Sequence, residues 1–186
     1  CIVGGSDALL GDWITYGFLK TGTIAENVEI EQTGVPFSTS HKGFVKSEGS
    51  AVVIMERKKD AESRGAKIWG QVDGSASNNE ALPMLKSDTS GCLMTSALKD
   101  AIGDCIPTYV NSQALGLVQN DMIEYITHSN LFGSRVPITS IKGMTGHMFG
   151  AMGAVQVITS LLSMKYGFIP PTIKTSGDGF NDLPIV

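Results

Sequence analysis

The chain has 186 residues, enough for one domain. Apolar residues make up 42% and charged residues 17%, which excludes a disordered tail because disordered chains are rich in charge and poor in apolar residues. Lysine and arginine total 14 against 18 acidic residues, a net charge of −4, so no basic face is available and nucleic-acid binding is not expected.

The first half of the chain reads as strand, loop, strand and helix. Residues 1–3 predict a short buried strand before two glycines, and residues 13–19 fit either a helix or an irregular apolar segment. Residues 51–56 are apolar on both faces, which predicts a strand inside a sheet. The remaining predictions are a turn-rich region over 21–43, a charged helical turn over 57–64 that ends at Gly65, a strand over 66–72 and a polar loop over 73–90.

The second half alternates helices and strands, which indicates α/β layering. Its predicted elements are a helix over 90–101, a strand starting at 109, a helix over 120–128, a strand over 137–141, and an apolar helix that follows a glycine-rich turn and reaches about residue 164. That last helix is hydrophobic nearly all round, so we expect it to be covered on all sides. It carries three polar residues, Gln156, Thr159 and Ser160, and is better explained as a core helix than as a membrane span.

The cysteines and the chain ends bear on location and completeness. Cys1, Cys92 and Cys105 show no Cys-x-x-Cys spacing, and their odd number argues against a disulfide framework. With no recognisable signal peptide, we expect a reducing, cytoplasmic setting. Both ends lie in apolar runs, whereas natural termini are usually polar and loose. We therefore expect 1–186 to be part of one larger unit, whether as a natural half, a cleavage product or a truncated sequence.

The densest polar signal lies between the predicted strand 137–141 and the apolar helix. It reads Lys142-Gly-Met-Thr-Gly-His147. A helix N-terminus offers unpaired N–H groups, and a histidine and a lysine placed there can hold or polarise an anionic or carbonyl group. The alternative is that Lys142 lies in a loop and His147 is a polar cap.

A second candidate is the acidic pair Asp121 and Glu124, three residues apart and so on one helix face. Such a pair can orient a lysine or a histidine, but spacing alone favours a solvated first turn. His41 and His128 lack neighbours of metal-ligand type and are interpreted as surface residues. No histidine or cysteine cluster indicates a metal site, and no phosphate- or dinucleotide-binding loop is present.

The segment from Lys142 to Ala154 resembles the second histidine motif of the β-ketoacyl-acyl-carrier-protein synthases. That motif consists of a lysine, then Thr-Gly-His, then a helix rich in glycine and alanine. Other segments are similar to the family in the same order: Ile2 to Asp7, Pro36-Phe37, Gly43 to Val45, Glu48-Gly49, Val53 to Glu56, Arg64 to Ile68 and Pro170 to Thr172. The resemblance covers nearly all of this chain and about half of the family's, its middle and later part.

The resemblance implies a thiolase-like fold, a layered α-β-α-β-α sandwich of which this chain is mostly the C-terminal half. It also implies a dimer and a decarboxylating Claisen condensation. In that reaction a cysteine takes the acyl chain from the phosphopantetheine arm of an acyl carrier protein, and two histidines assist. No further cofactor is implied. Covalent catalysis of this kind needs an activated thiolate and an oxyanion hole.

This chain departs from the family pattern at one histidine motif. Where the family has Asn-Ala-His-Gly-Thr and a second threonine, this chain has Asn111-Ser-Gln113-Ala-Leu115-Gly-Leu117. Gln113 replaces the histidine, and an amide is no acid or base near pH 7. Leu115 and Leu117 replace threonines that contact the pantetheine arm. Asp121, Glu124, Lys142 and His147 are retained, whereas a family Asp and Arg are altered to Ser38 and His41.

Two parts of the family's chain are absent from this one. The nucleophile would precede Cys1, so none of the three cysteines matches it, and the family's final glycine-rich gate loop and last strand are also missing. Whether this protein is an enzyme is therefore open at this point.

Three hypotheses follow from this pattern. The first is a chain-length factor, a non-condensing subunit that pairs with an active ketosynthase and shapes the acyl tunnel in polyketide or fatty-acid-type synthesis. The second is a divergent synthase, paired with itself, that still condenses or decarboxylates with His147 and Lys142 while Gln113 serves as an oxyanion donor. The third is a docking scaffold without activity. In the first two hypotheses the substrates arrive on an acyl carrier protein.

Overall fold

Two small sheets and six α-helices make up the computed structural model, which describes residues 1–26, 29–39, 42–83 and 86–186. Their order is β1 (Ile2–Asp7), α1 (Asp12–Thr21), a 3₁₀ turn (Ile30–Gln32), β2 (Gly49–Ile54), α2 (Lys58–Ser63), α3 (Cys92–Ile102), β3 (Val110–Asn111), α4 (Val118–Leu131), β4 (Ile138–Thr139), α5 (Lys142–Thr145), a second 3₁₀ turn (Phe149–Ala151) and α6 (Met152–Tyr166). The helices predicted over 57–64, 90–101 and 120–128 are confirmed, with boundaries shifted by a few residues. The segment 13–19, left open by the sequence, lies in α1.

The first sheet is an antiparallel pair in which β1 and β2 run side by side from Ile2 opposite Ile54 to Asp7 opposite Gly49. Both strands were predicted, but their burial was not predicted correctly. Ile2 is 77% exposed and Ile54 69%, because α6 packs against one face of this ribbon and the described residues leave much of the other face open. The alternating burial along β2 shows the same one-sided packing.

The apolar helix α6 is also less covered than its sequence predicts. Met152 and Ser163 are buried, whereas Val157 is 50% and Met164 63% exposed. The expectation of cover on all sides is therefore wrong for this chain, since the ribbon β1–β2 and the β3 region cover the helix on part of its circumference. No helix among the described residues is long and apolar enough to cross a bilayer.

The strand predicted over residues 66–72 is not formed, and the prediction is wrong. The segment has no strand partner among the described residues. Its aromatic residue instead contacts two ammonium groups, with Lys67 Nζ 4.1 Å and Lys165 Nζ 4.8 Å from the ring centre of Trp69. A β-branched, apolar run favours strand only where a neighbouring strand can complete its hydrogen bonds.

The second sheet positions the candidate residues. β3 and β4 are parallel, with Val110 opposite Ile138 and Asn111 opposite Thr139. One cluster of buried hydrophobic residues includes Ile138 of β4 and is formed by Phe37, Ala114, Ile138, Phe180 and Leu183. Both strands end at the same edge, so the segment that follows β3 and the segment that follows β4 emerge side by side.

The ribbon and the turn after His147 are in close contact at Gly5. The Gly150 N–H donates to Asp7 Oδ2 at 3.0 Å, and a Cβ on Gly5 would overlap the carbonyl oxygen of Gly150. A side chain at this position would push the backbone of the His147 turn away from β1.

Gly5→Ala should therefore lower the free energy of unfolding of the full protein by about 2 kcal/mol, the usual cost of overpacking. Denaturant unfolding measures this change. Gly17→Ala is the matched control, since a Cβ there meets nothing within 4 Å and a helix-interior alanine stabilises by about 0.5–1 kcal/mol. If the two variants have the same free energy of unfolding, the close contact between Gly5 and the Gly150 carbonyl oxygen is contradicted.

Candidate functional site

Glu124 holds the loop that follows β3. Its Oε2 accepts the Ser112 hydroxyl at 3.0 Å and its Oε1 accepts the Gln113 N–H at 3.2 Å. The Glu124 side chain is buried, and burial raises the pKa of its carboxyl, against the opposing effects of the Ser112 hydrogen bond and the Lys142 charge. The side chain of Gln113 itself is exposed, so the loop is fixed through its backbone.

Asp121, one turn earlier on α4, holds the continuation of the same loop. Its Oδ1 accepts the Leu115 N–H at 2.9 Å, and its Oδ2 accepts the Gly116 N–H at 3.2 Å and the Phe37 N–H at 2.9 Å. Asp121 is 0% exposed. The interpretation of this acidic pair as a solvated first turn is therefore wrong, because both carboxylates point inward at backbone N–H groups.

Lys142 reaches the same loop from the other strand. The side chain is buried, and Nζ donates to the carbonyl oxygen of Ser112 at 3.2 Å. Burial lowers the pKa of Lys142 to about 8, although the charges of Glu124 and Asp121 act in the opposite direction. The alternative that Lys142 lies in a loop is wrong, because Lys142 begins the short helix α5.

His147 lies in a largely aromatic environment at the turn before α6. Its ring stacks on Phe149 with centroids 4.2 Å apart and meets the edge of Phe44 at 5.7 Å. Its backbone N–H donates to the Val45 carbonyl at 2.7 Å. Burial lowers the pKa of His147 to about 4; the charge of Lys142 also lowers it, and that of Asp7 raises it. The imidazole is therefore neutral at pH 7, as a group that hydrogen-bonds a carbonyl without bringing a charge should be.

The two leucines that the resemblance matches to family threonines lie on the loop that Asp121 holds. Leu115 is 5% exposed and Leu117 half-buried, and the Leu117 carbonyl accepts the Asp121 N–H at 2.9 Å as α4 begins. Gln113, Leu115 and Leu117 thus stand on one loop, and the structure brings that loop together with Asp121, Glu124 and Lys142.

Several residues differ from their sequence-based interpretation. His128 was predicted at the surface but is 2% exposed, with Nε2 2.8 Å from the Val136 carbonyl oxygen. Ser38 is buried, and His41 lies outside the described residues.

Sequence reasoning missed Ser112, whose hydroxyl donates to Glu124 and whose carbonyl oxygen accepts a hydrogen bond from Lys142. It also gave no role to Gln156, and a polar residue inside an apolar helix was the signal for it.

In the part of the chain that the structure describes, no three His, Cys, Asp or Glu side chains are grouped so that they could hold a metal ion. Cys1, Cys92 and Cys105 are free and exposed.

Comparison with known families agrees with this geometry. Residues 69–176 match the family described as "Beta-ketoacyl synthase, C-terminal domain", and residues 1–61 match "Beta-ketoacyl synthase, N-terminal domain". The chain belongs to the β-ketoacyl synthase family. It is 34% identical over 158 residues to the tetracenomycin polyketide synthase ketoacyl synthase alpha subunit of Streptomyces glaucescens, which covers 81% of this chain and 37% of that protein.

Two further comparisons extend over the whole chain. The 3-oxoacyl-[acyl-carrier-protein] synthase 2 of Staphylococcus aureus is 31% identical, with 100% of this chain and 48% of that protein covered. A ketosynthase structure described as a type II polyketide synthase acyl carrier protein in complex with its ketosynthase superposes with a TM-score of 0.91 and 29% identity, covering 100% of this chain and 48% of that one. The thiolase-like fold is confirmed, and the chain spans about half the length of the curated relatives it matches.

Asp121→Asn in the full protein should cost about 2 kcal/mol of unfolding free energy, since an amide accepts fewer of the N–H groups that the carboxylate now satisfies. Thermal or denaturant unfolding measures the loss. Asp100→Asn, at an exposed position of α3, is the control and should change stability by less than about 0.5 kcal/mol. A loss no larger than that of the control would show that Asp121 is dispensable for the loop.

His147 should stay uncharged to well below pH 6. Its pKa is about 4 in the fold against 6.5 for the free side chain, so the folded state binds fewer protons between these values. The contribution of neutral His147 to the free energy of unfolding is therefore fully present above pH 6.5 and is lost as the pH falls toward 4. A ¹³C-histidine NMR titration of the full protein, with His147→Gln for assignment, measures the pKa. A midpoint near 6.5 would contradict the buried environment.

Proposed function

We propose that the whole protein is a chain-length factor, the non-condensing partner of an active β-ketoacyl synthase in polyketide or fatty-acid-type synthesis. The feature that carries this proposal is Gln113, which the motif resemblance matches to the family's histidine and which lies in a loop held by Asp121, Glu124 and Lys142. An amide hydrogen-bonds but does not transfer protons near neutral pH. The decarboxylation step would lack one of its two imidazoles.

The neighbouring leucines support the same function. Where the family has hydroxyls, Leu115 and Leu117 offer methyl groups, and Leu115 is buried. A carrier arm that reached this loop would leave amide groups without partners, and an unpaired buried amide costs about 1–3 kcal/mol. The loop is better suited to limit the volume of an apolar tunnel than to hold a pantetheine arm.

The retained supports argue against simple decay of the site. Asp121, Glu124 and Lys142 are buried and ionisable, and such groups are costly unless their hydrogen bonds are complete. Here each of them binds the backbone of the Gln113 loop. A function that needs the shape of this loop, and not its chemistry, explains why the supports persist.

The partners follow from the same assignment. A non-condensing subunit needs a ketosynthase that carries a cysteine and both histidines, and that enzyme receives its substrates from an acyl carrier protein. The related ketosynthase described as bound to its acyl carrier protein supports the second partner by analogy.

A divergent condensing enzyme is the second candidate, and His147 favours it. Its ring is retained in a buried, aromatic environment that keeps it neutral. The related Streptomyces protein is named as a ketoacyl synthase alpha subunit. In this case Gln113 would donate a hydrogen bond to the thioester oxyanion, and a nucleophile would have to come from outside these residues.

Native mass spectrometry of the complex from its own source, followed by acylation, separates the two candidates. The purified complex is incubated with an acyl-loaded carrier protein, and the intact mass of each subunit is measured. A cysteine thiolate that attacks the carrier thioester gains the acyl group and releases the carrier thiol. We expect two different ketosynthase-family chains, with the acyl mass found on the partner alone.

Two results would overturn the proposal. A homodimer that carries the acyl group itself and extends it with malonyl-carrier protein would show that the protein is a divergent condensing enzyme. If neither subunit is acylated and no extension occurs with malonyl-carrier protein, the protein is a docking scaffold. Omitting the acyl-loaded carrier is the control for mass changes unrelated to acyl transfer.

A further inference from the structure

The peptide group that joins Ser112 to Gln113 is held from both sides. Its carbonyl oxygen accepts Gln156 Nε2 at 2.8 Å and Lys142 Nζ at 3.2 Å. Its N–H donates to Glu124 Oε1 at 3.2 Å. With the oxygen and the N–H both bound, the plane of this peptide cannot rotate without breaking hydrogen bonds.

Gln156 reaches this peptide from α6 and also binds the end of β3. Its Nε2 lies 3.1 Å from the Asn111 carbonyl oxygen and 3.2 Å from Asn111 Oδ1. In return, Asn111 Nδ2 donates to the backbone carbonyl oxygen of Gln156 at 3.2 Å and to Ser160 Oγ at 3.3 Å. Backbone carbonyls can only accept, so the amide must present its nitrogen to them, which fixes its orientation.

We propose that Gln156 is a positioning residue, which sets the orientation of the Ser112–Gln113 peptide and thereby the direction in which the loop projects Gln113. Gln156 acts through the backbone and not on a substrate. The proposal rests on the proposed function only in taking the Gln113 loop as a wall of the acyl tunnel.

A neutral amide complements Lys142 in this role. The charges of Glu124 and Asp121 on α4 favour the ammonium form of Lys142, and the charge of Lys142 in turn lowers the pKa of His147 in the turn before α6. Its pKa of about 8 means that the charge on Nζ is lost in mildly alkaline solution, and an uncharged donor makes a weaker hydrogen bond. The Gln156 amide does not titrate, so its hydrogen bond to the Ser112 oxygen does not change in mildly alkaline solution.

Hydrogen exchange followed by mass spectrometry tests the proposal on the full protein in its native complex. Gln156→Met keeps the length and volume of the side chain but removes both donors. We expect the protection of the peptide that contains Gln113 to fall about tenfold, the effect of losing one net hydrogen bond. Thr159→Ala is the matched control, because that hydroxyl donates within α6, to the Val155 carbonyl at 2.8 Å, and the substitution should leave the loop unchanged.

A pH series separates positioning from a general loss of structure. In Gln156→Met the Ser112 oxygen depends on Lys142, whose pKa is about 8, so loop protection should fall further from about pH 7 to about pH 9. In the parent protein the Gln156 amide still donates to that oxygen, so protection corrected for intrinsic exchange should fall less over the same range. A merely structural role would give no such pH dependence.

The proposal is overturned if the loop in Gln156→Met is as protected from exchange as in the parent. It is also overturned if α6 and the loop lose protection to the same extent. If Gln156→Met does not fold, Gln156→Glu is the second variant, since it keeps the length and also lacks a donor; unchanged protection in that variant likewise overturns the proposal. The readout uses no product, so the result stands whether the complex is a heterodimer or a condensing homodimer.

Discussion

The site depends on two carboxylates that are buried at the start of α4 beneath the loop that follows β3. A buried carboxylate costs several kcal/mol unless hydrogen bonds replace its water. Asp121 and Glu124 obtain those hydrogen bonds from backbone N–H groups of the loop. The loop in turn loses the freedom to adopt another path, because any other path would leave the carboxylates unpaired.

This constraint also explains the electrostatics of the neighbouring groups. Lys142 is buried close enough to both carboxylates that their charges favour its ammonium form, but burial is the larger effect and lowers its pKa to about 8. The ammonium group in turn disfavours a second positive charge on His147. Burial is nevertheless the largest cause of the low pKa of His147, and the charge of Lys142 adds to it.

The sequence predicts the elements better than it predicts their burial. Helices α2 to α4 and the separate strands β1 and β2 follow from local periodicity and stop signals, which depend on nearby residues alone. Burial depends on what covers a face, and residues 66–72 show the difference: their composition fits a strand, but no partner strand completes their hydrogen bonds within the described residues. For the same reason α6 is apolar all round and yet exposes Val157 and Met164.

The candidate site shows the same limit at the scale of side chains. Lys142 and His147 could be identified from a motif, because six consecutive residues carry the signal. The burial of Asp121 and Glu124 could not, since a helical spacing of three fits a solvated face equally well. Gln156 contributes through three oxygens that lie more than forty residues away in sequence, and only the packing of α6 against β3 brings them together.

The network binds the backbone of residue 113 and leaves its side chain free. Glu124 accepts the N–H of Gln113, and the preceding carbonyl binds Lys142 and Gln156, while the amide side chain is exposed. Any residue other than proline supplies that N–H, so histidine and glutamine fit the loop equally well. The proposed exchange of a histidine for Gln113 would therefore leave these backbone hydrogen bonds in place. The framework is evidence for the shape of the loop, and only the side chain at position 113 reports on the chemistry.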